Sequence, residues 1–540
     1  MTPVLPLIVL VIGTGALLLS LLPRAPYAAP TAIGAMAAAW LGVALLGLNL
    51  PAGAVISNWA PTALLPVGLY LEADSSAWLL AWGLVSVSLA TLVTGLSRPG
   101  GRRLAARGAI LLLTLVGLAA LMSGNLVTLV MGWAGLDFIY FAILILLARG
   151  EGIQPQAVLH LTFSSLGTVF ALGAVLLIGR QSPDLTWLAA NASPGAVLLM
   201  TLAAVFRLGL FPLHLGLPVE ANVRQGLGTL LRLIPAAVAL QAVGRLAVVG
   251  VPEAVRPWLT AFGVAAALVG AVQLWNSDEP RQGLTFVVIT QSGLALLSAL
   301  WAGPQAVSAV TLTSLALVLG GGLVFLANGF DEQRPWLTAL PGLGAAALAG
   351  APLTVGFFGL QQLWANWLAS GHWGLGLALA GTAVALILFT GGLLRVISWP
   401  GDPVEGGAIG LAGYGIGLGL LALLVILGGG LAGPASGLMG APAAANPFGN
   451  VNGWGLGLLG VCLGAGAALW RFEALARTRT EAAAEGLAAV LRLAWLYRLA
   501  WGVIRVVDGV MSTLAGIWEG EGALLWAMVI TLVLLLLVRP

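Results

Sequence analysis

The sequence predicts an all-α integral membrane protein, and three observations carry that prediction. Hydrophobic residues make up 60% of the 540-residue chain and charged residues only 8%. Mean hydropathy is +1.05. Soluble domains carry about 25% charged residues, so there are too few charges here to cover a water-facing surface of this size. Apolar stretches also recur at the roughly 20 residues that cross a bilayer as a helix. Runs such as 105–121 and 524–538 lack the alternation of a membrane β-strand.

Apolar windows between turn signals give about 16 spans on that length criterion. Their cores are 3–22, 31–50, 76–97, 105–122, 126–148, 157–179, 195–211, 227–248, 257–275, 284–302, 306–327, 336–354, 373–396, 407–430, 453–471 and 522–538. The first lacks a basic n-region, and its first charge, Arg24, follows the apolar run, so it reads as a retained span and not a signal peptide. Residues 51–75, with Trp59, prolines and alternating apolar positions, read as a loop with room for a small hairpin. Arg207 interrupts the window 195–211, and Pro341 and Pro352 interrupt 336–354. The stretch 480–521 differs from everything before it. There Glu481, Glu485, Arg492, Arg498, Arg505, Asp508 and Glu519 are mixed with Leu, Val and Trp, and the charges at 481, 485, 492, 505 and 508 leave apolar stripes. Such a pattern suits an amphipathic helix lying along the membrane surface or across neighbouring helices. A plain cytoplasmic helical hairpin is the alternative.

The net charge of +3 and pI near 9.5 do not indicate a nucleic-acid partner, because the arginines fall at helix ends and in a few helices without forming a basic domain. The lone Cys462 sits in an apolar run, has no internal disulfide partner and says nothing of redox compartment. All 22 basic residues are arginine. The chain therefore has no ammonium whose pKa burial could bring towards neutrality, and arginine stays charged. Arg24, Arg98, Arg102, Arg103, Arg107, Arg149, Arg224, Arg281, Arg334, Arg395, Arg471, Arg477 and Arg479 define one face, against Arg180, Arg256 and Arg539 on the other. The positive-inside rule places the richer face in the cytoplasm and the N-terminus outside, although strict alternation does not bring every one of these loops to one side.

A charge within a span is costly and marks a site by default. Asp137 lies in the span 126–148, Arg207 just before Phe211-Pro212-Leu213-His214, and Arg232 and Arg245 in the span 227–248 on either side of Pro235. Opposite charges on adjacent helices offset each other's desolvation, so Asp137 and Arg207 are the expected pair, serving either ion transfer or fixed structure. His214 neighbours Glu220, Arg224 and Arg207 in sequence; it reads equally as a proton-relay residue and as a hydrogen-bonding helix-end histidine. His160 and His372 read as structural. No Cys/His cluster or H-E-x-x-H motif occurs, so no metal site is expected, and there is neither a Walker loop nor a G-x-S-x-G elbow.

Four short motifs, in order, carry a resemblance. Gly132-Trp133-Ala134-Gly135 resembles the G-W-E-G of the antiporter-like subunits of respiratory complex I and Mrp-type cation/proton antiporters. Phe211-Pro212-Leu213-His214-Leu215-Gly216-Leu217-Pro218 resembles their F-P-x-H-x-W-L-P-D-A. Asp278-Glu279-Pro280-Arg281-Gln282-Gly283-Leu284 with Gln291-Ser292-Gly293 resembles D-x-K-R-x-L-A-Y-S-x-x-x-Q-x-G, and Leu348-Ala349-Gly350-Ala351-Pro352 with Gly356-Phe357-Phe358 resembles L-A-G-x-P-P-x-x-G-F. The likeness covers roughly residues 60–400 and is strongest to the distal sixteen-helix subunit with a lateral helix. It implies two inverted five-helix repeats, each with a broken helix near Pro212 or Pro352. The implied division is 1–104 (helices 1–3 and an external loop), 105–248 (first repeat, helices 4–8), 257–396 (second repeat, helices 9–13), 397–479 (helices 14–15), 480–521 (amphipathic lateral helix, cytoplasmic) and 522–540 (last span). It also implies other membrane subunits of a complex I-like assembly as partners, no cofactor in this chain because electron transfer belongs to other subunits, the lipid bilayer as surroundings, and a bacterial-type inner or thylakoid membrane.

The departures from the family pattern matter as much. The family's fifth-helix glutamate falls at Ala134, its seventh-helix lysine at Arg207, and its eighth-helix lysine or histidine at Arg232. The polar residues of the second repeat fall near 311–323, where only Thr311, Thr313 and Ser314 are polar, and the twelfth-helix lysine or glutamate meets Gly359-Leu360-Gln361. A lysine passes a proton because burial and a carboxylate shift its pKa; arginine, alanine, glycine and leucine do not. Asp137, three residues past Ala134 and expected on nearly the same face, replaces the lost glutamate as partner of Arg207. The resemblance thus implies a subunit of an NADH- or ferredoxin:quinone oxidoreductase-like assembly, structural or docking in role, with proton translocation reduced or lost. The alternative is an active proton or cation/proton transporter using a modified path through Asp137, Arg207, His214 and Glu220.

Overall fold

Short polar residues and prolines set the helix ends, because the apolar interiors carry no stop signals. The computed structural model describes residues 28–57, 68–97, 104–148, 153–179, 192–217, 225–277, 280–327, 334–370, 373–400, 407–431 and 453–474, with isolated residues at 13, 15, 329, 404 and between 486 and 534. The chain divides into two units, Met1–Arg479 and Thr480–Pro540. The expected lateral helix at 480–521 lies, apart from isolated positions, outside the described residues, as does most of the first span. In the second unit 527–534 is helical.

The first unit is a helical bundle: α1 (Ala28–Leu46), α2 (Ser75–Thr94), α3 (Leu104–Leu121), α4 (Leu126–Leu147), α5 (Ile153–Gly179), α6 (Pro194–Leu208), α7 (Gln225–Val249), α8 (Arg256–Asn276), α9 (Pro280–Trp301), α10 (Ala306–Leu326), α11 (Ala339–Leu348), α12 (Phe357–Ser370), α13 (Trp373–Ser398), α14 (Gly407–Gly430) and α15 (Gly453–Arg471). Eleven segments among the described residues are long and apolar enough to cross a membrane, and the chain is an integral membrane protein. Asp74 caps α2 by accepting from the Ala77 N–H at 2.7 Å, and Asn125 caps α4 by accepting from the Thr128 N–H at 2.8 Å. The loop at 51–75 holds strands β1 (Ala52–Ser57) and β2 (Leu69–Ala73), paired antiparallel with Ala52 opposite Ala73. β2 is seated on the α3–α4 turn, with the Glu72 N–H donating to the Met122 carbonyl at 2.7 Å.

At the centre stands α10, whose span is wholly buried and which packs against α2, α7, α9, α11, α12 and α14. Lipid is as apolar as the bundle, so association there rests on close packing. Accordingly α10 is rich in small residues, among them Ala306, Ser308, Ala309, Ser314 and Gly320.

Two helices depart from the spans read in the sequence. The window 195–211 ends as a helix at Leu208, where Gly209 adopts φ 56°. The window 336–354 is a helix only over Ala339–Leu348; the chain then turns through Gly350 (φ 71°) and forms α12, which the length criterion had passed over. Fourteen residues of α12 rise about 21 Å at 1.5 Å each, short of the roughly 30 Å hydrocarbon core.

Candidate functional site

The interior charge centre is assembled from three consecutive helices. α4 brings Trp133 and Asp137, one turn apart on its inward face. α5 brings Ser164 and Thr168 by the same spacing, and the last turn of α6 brings Arg207. That turn is the negative end of the helix dipole, which favours a cation. Gly167 permits the approach: a Cβ there would lie 2.9 Å from Arg207 Cγ and 3.0 Å from the Ala203 carbonyl oxygen.

Asp137 and Arg207 are buried, at 5% and 7% exposed. They form a fork-to-fork pair: Nη2 to Oδ1 at 2.8 Å and Nη1 to Oδ2 at 3.0 Å. Nη1 also donates to Thr168 Oγ1 at 2.9 Å, and that hydroxyl donates to Asp137 Oδ2 at 2.9 Å. The guanidinium carbon lies 4.6 Å from the Trp133 ring centroid, where the ring face attracts a cation. Both carboxylate oxygens are thereby occupied, in a geometry that only a planar guanidinium supplies. Ala134 is exposed although Asp137 is buried. The inward face of α4 therefore runs through 133 and 137, and the expectation that 134 shares it does not hold.

Beside this pair lies a small, partly open cavity of about 40 Å³ between α4, α5, α6, α7 and α9, with Tyr140, His160, Arg207, Arg232, Pro235 and Thr285 in its wall. The Tyr140 and His160 rings pack with centroids 4.0 Å apart. Arg232 Nε donates to Thr285 Oγ1 at 3.1 Å, and Nη1 donates to the Gly228 carbonyl of its own helix at 3.1 Å. Pro235 lacks the N–H that would bond the carbonyl of Leu231, another wall residue.

Arg245 is apart from this site. Thirteen residues beyond Arg232 on α7, it is about 20 Å further along the axis. It donates to the Ser123 carbonyl and lies 3.4 Å from Asp74 Oδ2, tying α7 to the α2 cap. His214 is buried in the short helix at Leu213–Gly216, stacked on Phe211 at 5.6 Å, and its Nδ1 has no hydrogen-bond partner among the described residues. Glu220, Arg224 and His372 lie outside the described residues. Among the described residues no group of three His, Cys, Asp or Glu is placed to hold a metal. Thr168, Tyr140 and Thr285 were not singled out in the sequence. A hydroxyl in an apolar helix gives no signal until its neighbours on other helices are known. His160, read as structural, lies in the cavity wall.

A smaller cavity of about 10 Å³ lies between α9, α10, α11 and α12, lined by Gln291, Ser298, Thr313 and Leu348 with no ionisable side chain. There Gln291 Nε2 donates to the Leu348 carbonyl.

No protein-family model matches the chain. It is 24% identical over 282 residues to NADH-quinone oxidoreductase subunit N 2 of Rhizobium meliloti (strain 1021), a match that spans 46% of this chain and 58% of that subunit. Among solved structures, a chain of the Mrp complex from Dietzia sp. DQ12-45-1b superposes with a TM-score of 0.81 at 19% identity, covering 99% of this chain and 63% of that one. A chain of respiratory complex I from Thermus thermophilus gives 0.67 at 20% identity, covering 86% and 99%. The chain is a homologue of N-type NADH-quinone oxidoreductase subunits and has the fold of the antiporter-like subunits of complex I and Mrp assemblies.

Proposed function

We propose that the chain is an antiporter-like membrane subunit of a complex I-related assembly, acting as a structural or docking element in which ion translocation is reduced or lost. The observation that carries this is the Asp137–Arg207 fork, with both carboxylate oxygens taken by a guanidinium and a hydroxyl. Arginine does not release its proton at physiological pH, so the pair has no neutral form through which a proton passes. In such an assembly the electron-transfer chemistry belongs to other subunits, and this chain is non-catalytic.

The reading includes two repeats, α3–α7 and α8–α13, and matched contacts support it. Arg207 stands two residues before Gly209 and packs on Gly167 of α5; Leu348 stands two residues before Gly350 and packs on Gly320 of α10. Seven residues before those two packing glycines are His160 and Thr313, each in the wall of its own cavity. By this correspondence Arg207 is replaced by Leu348 in the second repeat, where Gln291 bonds the backbone instead of a charge. A path through the second half then has no titrating group among the described residues. The further parts of the reading are about 16 spans, the domain boundaries given above, a lateral helix at 480–521 bracing neighbouring subunits on the cytoplasmic side, and an outside N-terminus.

The test is proton or sodium translocation by the purified assembly, with and without Asp137→Asn. Unchanged flux with the assembly intact is expected, and a clear loss would overturn the structural reading. A second reading, active transport along a modified path from Asp137 and Arg207 towards His214 and Glu220, draws on the cavity beside the pair; it predicts that loss.

A further inference from the structure

The cavity beside the charge pair carries one more positive charge than its described surroundings balance. Arg207 is neutralised by Asp137. Arg232, in the same wall, is not: its partners are the Thr285 hydroxyl and the Gly228 carbonyl, both uncharged. Tyr140, His160 and Thr285 add groups able to hydrogen-bond at the rim of the same space. Desolvating a guanidinium without a counter-charge is costly, more so at membrane depth, and Pro235 on the adjoining turn of α7 removes a backbone bond instead of adding one.

We infer that this cavity binds a small monovalent anion, held by the free edge of the Arg232 guanidinium and by the Thr285 hydroxyl. A guanidinium presents its donors in a flat fork that matches planar oxyanions of carboxylate geometry. The ligand class is therefore planar and singly charged, with formate and nitrate as its simplest members; spherical chloride should bind less well. The site rests on Arg232 and the cavity, not on whether the subunit translocates ions.

The experiment is a thermal-unfolding titration of the purified assembly in detergent with sodium formate, nitrate or chloride, at ionic strength held constant with methanesulfonate, whose anionic head is not planar. Formate and nitrate should raise the midpoint saturably, and more than chloride does. Arg232→Gln should abolish the effect, whereas Arg256→Gln, beside the Trp301 ring, should leave it intact. Thr285→Val keeps the charge and should weaken binding about 2- to 10-fold, the loss of one hydrogen bond. Asp137→Asn frees Arg207 in the same wall and should tighten binding. No saturable response in the wild type, or one that survives in Arg232→Gln, would overturn the inference; so would a response equal for all salts, the mark of general screening. If Glu220→Gln creates a response that the wild type lacks, Glu220 is the counter-charge and the anion site is refuted. Asp137→Asn flux reports on the structural reading alone, so the two fail separately.

Discussion

At the scale of single residues, burial decides what a charge does. Asp137 and Arg207 satisfy each other so fully that removing either leaves the other buried and uncompensated. Asp137→Asn and Arg207→Met should each destabilise the protein by about 3–5 kcal/mol. The double variant should cost clearly less than the sum, because the second change removes the orphaned charge. Chemical unfolding in detergent, analysed as a double-mutant cycle, checks this; additivity would show that the pair is not coupled. The sequence made the pairing economical to expect, since Asp137 is the lone carboxylate inside the spans read from it. It did not reveal Thr168 or Trp133, whose roles depend on how three helices face one another.

At the scale of elements, two glycines control how α5 and α6 meet. Gly167 lies so close to α6 that an added methyl would meet the Ala203 carbonyl oxygen, which is backbone and has little room to yield. Gly167→Ala should cost about 1–3 kcal/mol by overpacking and should loosen the pair, read as faster proteolysis alongside a lower unfolding midpoint. Gly209→Ala is expected to cost about 1–2 kcal/mol from its left-handed backbone, and its Cβ would also press on Leu217 at 2.8 Å. The helix ends at Leu208 and Leu348 were legible, since Pro212 and Pro352 follow each by four residues. The helix α12 was not, because fourteen apolar residues between two turns fall below the length at which a span is recognised. Whether such a segment stands alone or completes α11 is settled by what it packs against.

At the scale of the whole molecule, the first unit is held at the end opposite the β-strands by another arginine. Arg395, in the last turn of α13, donates to the Trp275 and Ser277 carbonyls at the end of α8. Its Nε lies 2.7 Å from Glu473, just past α15. It thus caps one helix, where a cation complements the terminal carbonyls, and ties a second to a third. Arg395→Gln should destabilise by about 1–3 kcal/mol per carbonyl left unmet. Glu473→Gln, which changes only a partly exposed partner, should cost under about 1 kcal/mol. Equal losses in the two variants, measured by thermal unfolding, would show that the ion pair and not the cap matters.

Composition and span length by themselves determined the membrane environment and the helical class, since lipid admits only helices or closed barrels and the long apolar runs lack a barrel strand's alternation. The absence of lysine likewise determined which proton chemistry is closed to this chain. The tertiary structure decided which arginine is neutralised, which meets only uncharged partners among the described residues, and which serves as a cap. Desolvation requires each buried charge to find partners, but their identity depends on helix rotation and approach, and spacing along one chain does not encode these.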